Sequence, residues 1–322
     1  MPLGEFELIE RFFAHRGPQR RDVSLGIGDD AALVRVPAGT ELVVTVDTIV
    51  AGVHFPAVAS PADIGYRVMA VNLSDIAAMG AIPAWATLAL TLPAAEESWL
   101  EGFCSTFFAL CSAHDVMLIG GDTTSGPLSV TVQIMGHVPI GKALKRSGAR
   151  VGDLIVVSGH VGDAAAGLEL LQQRAVTESR QRDELIARFL RPEPRIALGL
   201  AMRDVASAAI DISDGLAADL THILESSGVG AHLDLDSLPL SEALTASFDS
   251  QRALELGLGG GDDYELCLTV SPQRARLLSG VAASVGCPLT RVGIIETRPG
   301  LRCMRGGISV TPAQLGYQHF SR

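Results

Sequence analysis

The sequence predicts an α/β (α+β) protein of two domains. Three observations carry this. Apolar, β-branched stretches of strand length alternate with stretches of helical length in both halves. A turn-rich break, Ile140-Gly141-Lys142 and then Ser147-Gly148-Ala149-Arg150-Val151-Gly152-Asp153, separates them. A length of 322 residues is too great for one small core and suits two. The expected domains are residues 1–140 and 150–322.

In chain order, Glu5 to Ala14 reads as a short helix. Leu33–Val36 and Leu42–Val46, around Pro37-Ala38-Gly39, read as a hairpin. Pro61 opens a helix to about Met79, with Gly80 as its stop. Trp85–Leu92 is a strand ending at Pro93, and Glu96–His114 a helix with glutamates in its first turn. Val116–Ile119 and Leu128–Val138 are strands. In the second half, Leu154–Ser158 is a strand. Helices are expected at 162–174, 182–190, 193–206, 214–227, 241–247 and 272–285. Further strands are expected at 208–212, 230–234, 265–270, 290–295 and 307–310.

Composition narrows the function classes. The chain is 48% hydrophobic and 19% charged, which suits a folded globular protein. With a net charge of -11 and no Lys/Arg run, it lacks the basic patch of a duplex-binding protein. No apolar run reaches the length of a membrane span, and Met1-Pro2-Leu3-Gly4-Glu5-Phe6-Glu7 has early acids and no apolar core, so no signal peptide is expected. The cysteines, Cys104, Cys111, Cys267, Cys287 and Cys303, are odd in number and without CxxC spacing. Reduced cysteines in a cytoplasmic protein are expected.

Six short acidic turns are the strongest signal. They are Gly26-Ile27-Gly28-Asp29-Asp30, Thr45-Val46-Asp47-Thr48, Asn72-Leu73-Ser74-Asp75, Gly120-Gly121-Asp122-Thr123-Thr124, Asp211-Ile212-Ser213-Asp214-Gly215 and Gly260-Gly261-Asp262-Asp263. Most set aspartate beside glycine or a small hydroxyl residue and close to an apolar stretch. Unpaired carboxylates in such places are costly, and magnesium, which prefers oxygen ligands, relieves that cost. The pattern points to magnesium and a phosphorylated ligand. Asn72 and Asp75, three apart, share a helix face inside an apolar helix, which favours Asp75 as a ligand over a solvated stripe. Gly120-Gly121-Asp122 is read as a strand end where backbone N–H groups approach phosphate. Asp214 also fits a plain N-cap of the next helix, which leaves Asp211 unexplained.

Other motifs are rejected. Gly26-Ile27-Gly28-Asp29-Asp30-Ala31 fits a loose dinucleotide fingerprint, but its aspartates would crowd a pyrophosphate and a strand follows it. Gly136 to Ala143 ends in Ala143 where a Walker A loop needs Ser or Thr. There is no Gly-x-Ser-x-Gly elbow. Among the histidines His54 is the most suggestive, although an exposed loop histidine is the default reading.

The ordered motifs GIGDDAA, TVDT…GVHF, NLSDIAAMGA, IGGDTT, RSGA, DISDGL, GGDDYEL and GYQHF, from about residue 5 to 320, resemble the thiamine-monophosphate kinase family. That family shares a superfamily with aminoimidazole-ribonucleotide synthetase, selenophosphate synthetase and a hydrogenase-maturation protein. The resemblance implies an N-terminal mixed sheet with helices that binds ATP and magnesium and pairs with its twin across a homodimer. It implies a C-terminal α/β domain that completes the active site, with ATP between the domains. The implied reaction transfers the γ-phosphoryl of ATP directly to thiamine monophosphate, the last step of thiamine diphosphate biosynthesis. Asp30, Thr45, Val46 (by its carbonyl), Asp47, Asp75, Asp122, Asp211 and Asp214 are the implied ligands of several magnesium ions. Gly121, Asp122, Arg146 and Ser213 are the implied ATP contacts, and His54, Asp262 and Tyr317 the implied substrate contacts. Val46 stands where the family commonly has threonine, and Asp262 where it usually has glutamate. No catalytic base is expected. The alternatives are another ATP-dependent enzyme of the superfamily, of the aminoimidazole-ribonucleotide synthetase type, or a non-catalytic magnesium-nucleotide module. No cysteine precedes Cys104 to serve a selenophosphate synthetase, and the synthetase type lacks the GVHF and GYQHF segments.

Overall fold

A computed structural model describes residues 4–311 and 315–317 of the chain. By internal contacts the chain divides into one unit of Met1–Ile76 with Ala81–Gly141 and another of Ala77–Gly80 with Lys142–Arg322.

The first unit begins with α1 (Glu5–Ile9), which runs into a π-helical turn, Glu10–Ala14, where Phe12 and Phe13 are buried. β1 (Val23–Leu25) and β2 (Leu33–Val34) form a two-stranded antiparallel pair. Then follow β3 (Thr40–Val50), α2 (Pro61–Ala78), β4 (Ile82–Leu92), α3 (Glu97–Ala113), β5 (Met117–Ser125) and β6 (Ser129–Pro139). The sheet order is β3-β6-β4-β5, with β4 and β5 parallel and the other pairs antiparallel.

The expected hairpin around Pro37-Ala38-Gly39 does not form. Leu33–Val34 pairs backwards with β1, while β3 pairs with β6 from Thr40↔Pro139 to Val50↔Ser129. Leu33–Val34 is taken into the pair with β1, and in the turn the Pro37 carbonyl accepts the Thr40 hydroxyl at 2.6 Å, so among the described residues the outer edge of β3 carries no strand.

Pro61 sets the first turn of α2, where its missing N–H is no loss, and Gly80 at φ 62° stops the chain beyond it. From Arg67 to Ser74 the helix is buried on every side, as its unbroken apolar run suggests. α3 buries Leu100, Phe103, Cys104, Phe107 and Cys111 at helical spacing. Both cysteines are thus core residues, and burial pushes each thiol up to about 12. All five cysteines are free and buried.

The second unit contains β7 (Leu154–Ser158), α4 (Asp163–Leu171), α5 (Ser179–Leu190), α6 (Ile196–Met202), β8 (Ala206–Asp211), α7 (Leu216–Ser227) and β9 (Gly230–Asp234). These are followed by α8 (Glu242–Ser247), α9 (Ser250–Gly259), β10 (Leu266–Val270), α10 (Leu278–Val285), β11 (Leu289–Glu296), β12 (Gly300–Arg305) and β13 (Ile308–Val310). Its sheet runs β13-β12-β9-β11-β7-β10-β8, with only β9 and β12 parallel. Ile155, Val157, Ile210 and Leu233 of the sheet pack with Leu220, Ile223 and Leu224 of α7 in one core. That packing sets the start of α7 beyond the end of β8. α9 and β12 were not expected. α9 ends in a glycine-rich run that reads as loop, yet Asp249 caps it by accepting the Gln251 and Arg252 N–H groups at 3.0 Å. Among the described residues, no helix is long and apolar enough to cross a membrane.

The start of β10 is tied down by charge. Buried Glu265 accepts Arg195 Nε at 2.7 Å and the Arg195 guanidinium again at 2.5 Å, and the Ser158 hydroxyl donates to it as well. Removing one partner strands a buried charge. Glu265→Ala is expected to lower unfolding stability by about 3–5 kcal/mol, read from urea titration. A loss below about 1 kcal/mol would mean that the pair is dispensable.

Candidate functional site

In the first unit, β3 and α2 bring three of the expected residues together. Strand alternation turns Thr45 and Asp47 toward α2 and leaves Val44 and Val46 exposed on the other face. The Thr45 hydroxyl donates to Asp75 Oδ2, and Asn72 Oδ1 accepts the Asp47 N–H at 3.1 Å. Asn72 in turn donates to the Val68 carbonyl at 2.9 Å, which fixes its amide. Burial first, then the charge of Asp75, raises the Asp47 carboxyl to about 6. Two carboxylates and a hydroxyl form a hard oxygen donor set of the kind magnesium takes. The donor set fits that ion, and the perturbed Asp47 shows the charge a cation would relieve.

A second group lines a cavity of about 890 Å³ in the same unit. Asp29 and Asp30 from the first acidic turn meet Gly120, Gly121 and Asp122 there, with Phe13, Ile27 and Leu88 as apolar wall. The glycines do not end a strand, as their sequence suggests. Gly120, Gly121 and Asp122 lie inside β5, beside a register shift against β4. Among the described residues β5 pairs only with β4, at the edge of the sheet. Gly121 sits at φ 154°, and a Cβ there would lie 1.9 Å from the Leu88 carbonyl oxygen. Glycine is therefore required by close backbone packing.

The register places these two groups on one transverse row. Asp47 faces Val132, Val132 faces Leu88, and Leu88 faces Gly121. Three strand spacings are about 14 Å. Among the described residues no three His, Cys, Asp or Glu side chains gather closely enough to hold a metal. The acidic turns of the first unit thus lie along an extended row. Magnesium is commonly held by one or two carboxylates with phosphate and water completing its shell, which a row of this kind can supply.

In the second unit, Asp211 ends β8 and is buried, while Ser213 and Asp214 are half-buried in the turn before α7. Asp214 is not the helix cap. That position is Gly215, and Asp219 takes the turn's N–H groups instead. Burial first, then the charge of Asp214, raises the Asp219 carboxyl to about 7. The turn's carbonyls hold two distant segments. Ser213 O accepts the Asp262 N–H at 2.8 Å, and Asp214 O accepts the Tyr317 N–H at 2.9 Å. Gly261 passes so close that a Cβ would lie 2.5 Å from Ser213 O. Asp211, Ser213, Asp214, Asp262 and Tyr317 therefore belong to one assembly.

The two aspartates of Gly260-Gly261-Asp262-Asp263 differ. Asp263 accepts the Gly162 N–H at 2.7 Å and the Ala164 N–H at 3.1 Å, starting α4. Burial raises its carboxyl well above the usual range. Asp262 sits at φ 74°, a strained conformation for a non-glycine residue, and accepts the Tyr264 hydroxyl at 3.4 Å. His54 Nδ1 accepts the Val50 N–H at 3.1 Å, which in the neutral ring puts the proton on Nε2. Arg146 is exposed, on a bend where Ser227 donates to its carbonyl at 3.2 Å. Gln318, His319 and Phe320 of the GYQHF motif lie outside the described residues.

Sequence reasoning missed Asp219. Its signal is an acid in the first turn of a helix whose capping position is glycine.

The family model for AIR synthase related protein, N-terminal domain, matches residues 28–138, and that for the C-terminal domain matches residues 150–305. A thiamine-monophosphate kinase of Salmonella typhimurium is 51% identical over 323 residues, 100% of this chain and 99% of that protein. The chain belongs to the thiamine-monophosphate kinase family. The α/β, two-domain fold expected from the sequence agrees with this. A crystal structure of thiamine-monophosphate kinase from Stenotrophomonas maltophilia is 50% identical, with a TM-score of 0.88 over 96% of this chain and 99% of that one. The structure of AaThiL complexed with AMPPCP and TMP is 32% identical, with a TM-score of 0.79 over 99% of each chain. Within this thiamine-monophosphate kinase fold, the Val46 side chain points away from the Thr45–Asp47 face, so only its backbone is available there.

The raised Asp47 carboxyl has a pH consequence. A carboxyl raised in the folded state favours folding below its unfolded value, near 3.8, and that contribution is lost as pH rises through about 6. Without metal, Asp47→Asn is expected to be more stable than the unaltered protein at pH 8, on the order of 1–3 kcal/mol, with the gap closing toward pH 4. Asp122 is exposed, and Asp122→Ala should shift metal-free stability by no more than about 0.5 kcal/mol. Thermal melts across pH check both; an Asp47→Asn protein less stable at pH 8 contradicts the assignment.

Proposed function

We propose that this chain transfers the γ-phosphoryl group of ATP to the phosphate of thiamine monophosphate, giving thiamine diphosphate. The observation that carries this is 51% identity to a thiamine-monophosphate kinase along the entire chain. The AMPPCP and TMP of the AaThiL complex support ATP and thiamine monophosphate as the pair of ligands.

The chemistry suits the residues. The acceptor is a phosphate monoester with a second pKa of about 6, so it is largely ionised at neutral pH and needs no general base. The obstacle is repulsion between two polyanions. Magnesium, in several ions, would neutralise that charge and align the attacking and leaving oxygens for in-line transfer. Asp30, Thr45, the Val46 carbonyl, Asp47, Asp75, Asp122, Asp211 and Asp214 are the groups proposed to hold it. The close pairing of Thr45, Asp47 and Asp75 supports this most directly. Gly121 and Asp122 on the open edge of β5, with Arg146 and Ser213, are the proposed ATP contacts. His54, Asp262 and Tyr317 are the proposed contacts to thiamine monophosphate, the last two supported by their shared attachment to the Ser213–Asp214 turn.

The first unit is the proposed ATP, magnesium and dimerisation domain. β3 and β5 are the open edges of its sheet, and Leu42, Val44 and Val46 form an exposed apolar strip on β3, which suits a homodimer. Five unpaired cysteines suit the cytoplasm.

Incubation with ATP, magnesium and thiamine monophosphate should yield thiamine diphosphate. Asp47→Ala and Asp122→Ala should each lose at least about a hundredfold in kcat while keeping the fold. Absence of thiamine diphosphate would sink the proposal, and capture of a competent phosphorylated enzyme would sink in-line transfer.

A further inference from the structure

The turn between β8 and α7 is built around one carboxylate oxygen. Asp219 Oδ2 accepts the N–H groups of Ser213 at 3.0 Å, Asp214 at 3.1 Å and Gly215 at 3.1 Å. Asp219 is 3% exposed. It lies in the first turn of α7, whose capping residue, Gly215, has φ 124° and no side chain to satisfy those donors. One oxygen accepting from three successive amides is a strong constraint on backbone shape.

This has two structural effects. A helix start with open N–H groups commonly binds phosphate through them. Here those amides are already taken by Asp219, so the helix start offers no open N–H cradle. With the amides turned inward, the carbonyls turn outward. Ile212 O accepts the Tyr264 N–H at 2.8 Å, Ser213 O the Asp262 N–H at 2.8 Å and Asp214 O the Tyr317 N–H at 2.9 Å. One internal carboxylate thereby sets the backbone to which both the Asp262 and the Tyr317 segments are attached.

We propose that Asp219 is a positioning residue. It closes the Ser213–Gly215 amides to phosphate, aims the Ser213 and Asp214 side chains at the magnesium nucleotide, and holds the Asp262 and Tyr317 segments in register with them. The nucleotide part of this inference rests on the function proposed above; the part about the turn does not.

The test compares Asp219→Ala, which removes the acceptor, with Asp219→Asn, which keeps an oxygen in place. Amide hydrogen exchange of the metal-free protein reads the turn, and calorimetry with magnesium and AMPPCP reads the site. In Asp219→Ala the Ser213–Gly215 amides should exchange at least about tenfold faster, with the β7 and β10 amides unchanged. The Kd for magnesium-AMPPCP should rise at least about tenfold. Asp219→Asn should stay within about threefold of the unaltered protein on both readouts. A role confined to stability would lower the Tm of Asp219→Ala and leave that Kd unmoved, which overturns the proposal. If Asp219→Ala does not fold, the unaltered protein still decides: Ser213–Gly215 amides exchanging at the rate of open turn amides overturn it. If the unaltered protein binds no magnesium-AMPPCP and makes no thiamine diphosphate, the proposed function fails, while the exchange data still decide whether Asp219 holds the turn.

Discussion

Carboxylates held near one another and away from water repel, and each must find donors or a cation. This chain answers that constraint in three ways. Asp219 and Asp263 are satisfied by backbone N–H groups, at the starts of α7 and α4. Glu265 is satisfied by the Arg195 guanidinium and the Ser158 hydroxyl. Burial acts against the charge of all three aspartates, but at Asp219 and Asp263 backbone N–H groups partly offset it, whereas at Asp47 both causes, burial and Asp75, act against the charge. The first two solutions shape the backbone. The third leaves a carboxyl whose charge a cation would relieve.

The division explains why so many aspartates coexist with so few cations. The structural acids each consume donors that loops and helix starts must satisfy in any case. The remaining acids lie along an extended row in the first unit and around one turn in the second. A polyphosphate and its ions are extended too, and each ion needs only a few protein oxygens when phosphate and water supply the rest. Glycine serves this arrangement through close backbone approach, at Gly121 against Leu88 and at Gly261 against Ser213.

Where the pattern was legible, local physics dominates. α2 was readable because Pro61 starts it and an unbroken apolar run buries it. α3 was readable because its aromatic and cysteine residues repeat at helical spacing. Where the reading failed, a distant partner decided. Leu33–Val34 pairs back with β1, while β3 takes its partner, β6, from some ninety residues along the chain. The glycines of β5 look like a terminus because glycine usually weakens strands. Only the nearness of the Leu88 backbone explains them. α9 was hidden because its glycine-rich end resembles a loop, whereas its Asp249 cap and buried Ala253 and Leu256 are tertiary facts.

The sequence by itself determined the chemistry: which turns carry carboxylates, that oxygen ligands and phosphate suit them, and which family uses these motifs in this order. Those properties reside in residue type and short spacing, which need no folding to be read. Tertiary structure alone decided how the acids divide their labour. Asp262 and Asp263 are adjacent and chemically identical in the sequence, yet Asp263 starts α4 while Asp262 is held on the Ser213 carbonyl. Asp214 reads as a helix cap until Asp219 is seen to occupy that role. A carboxylate's task follows from the donors that reach it, and those donors come from segments far apart in the chain.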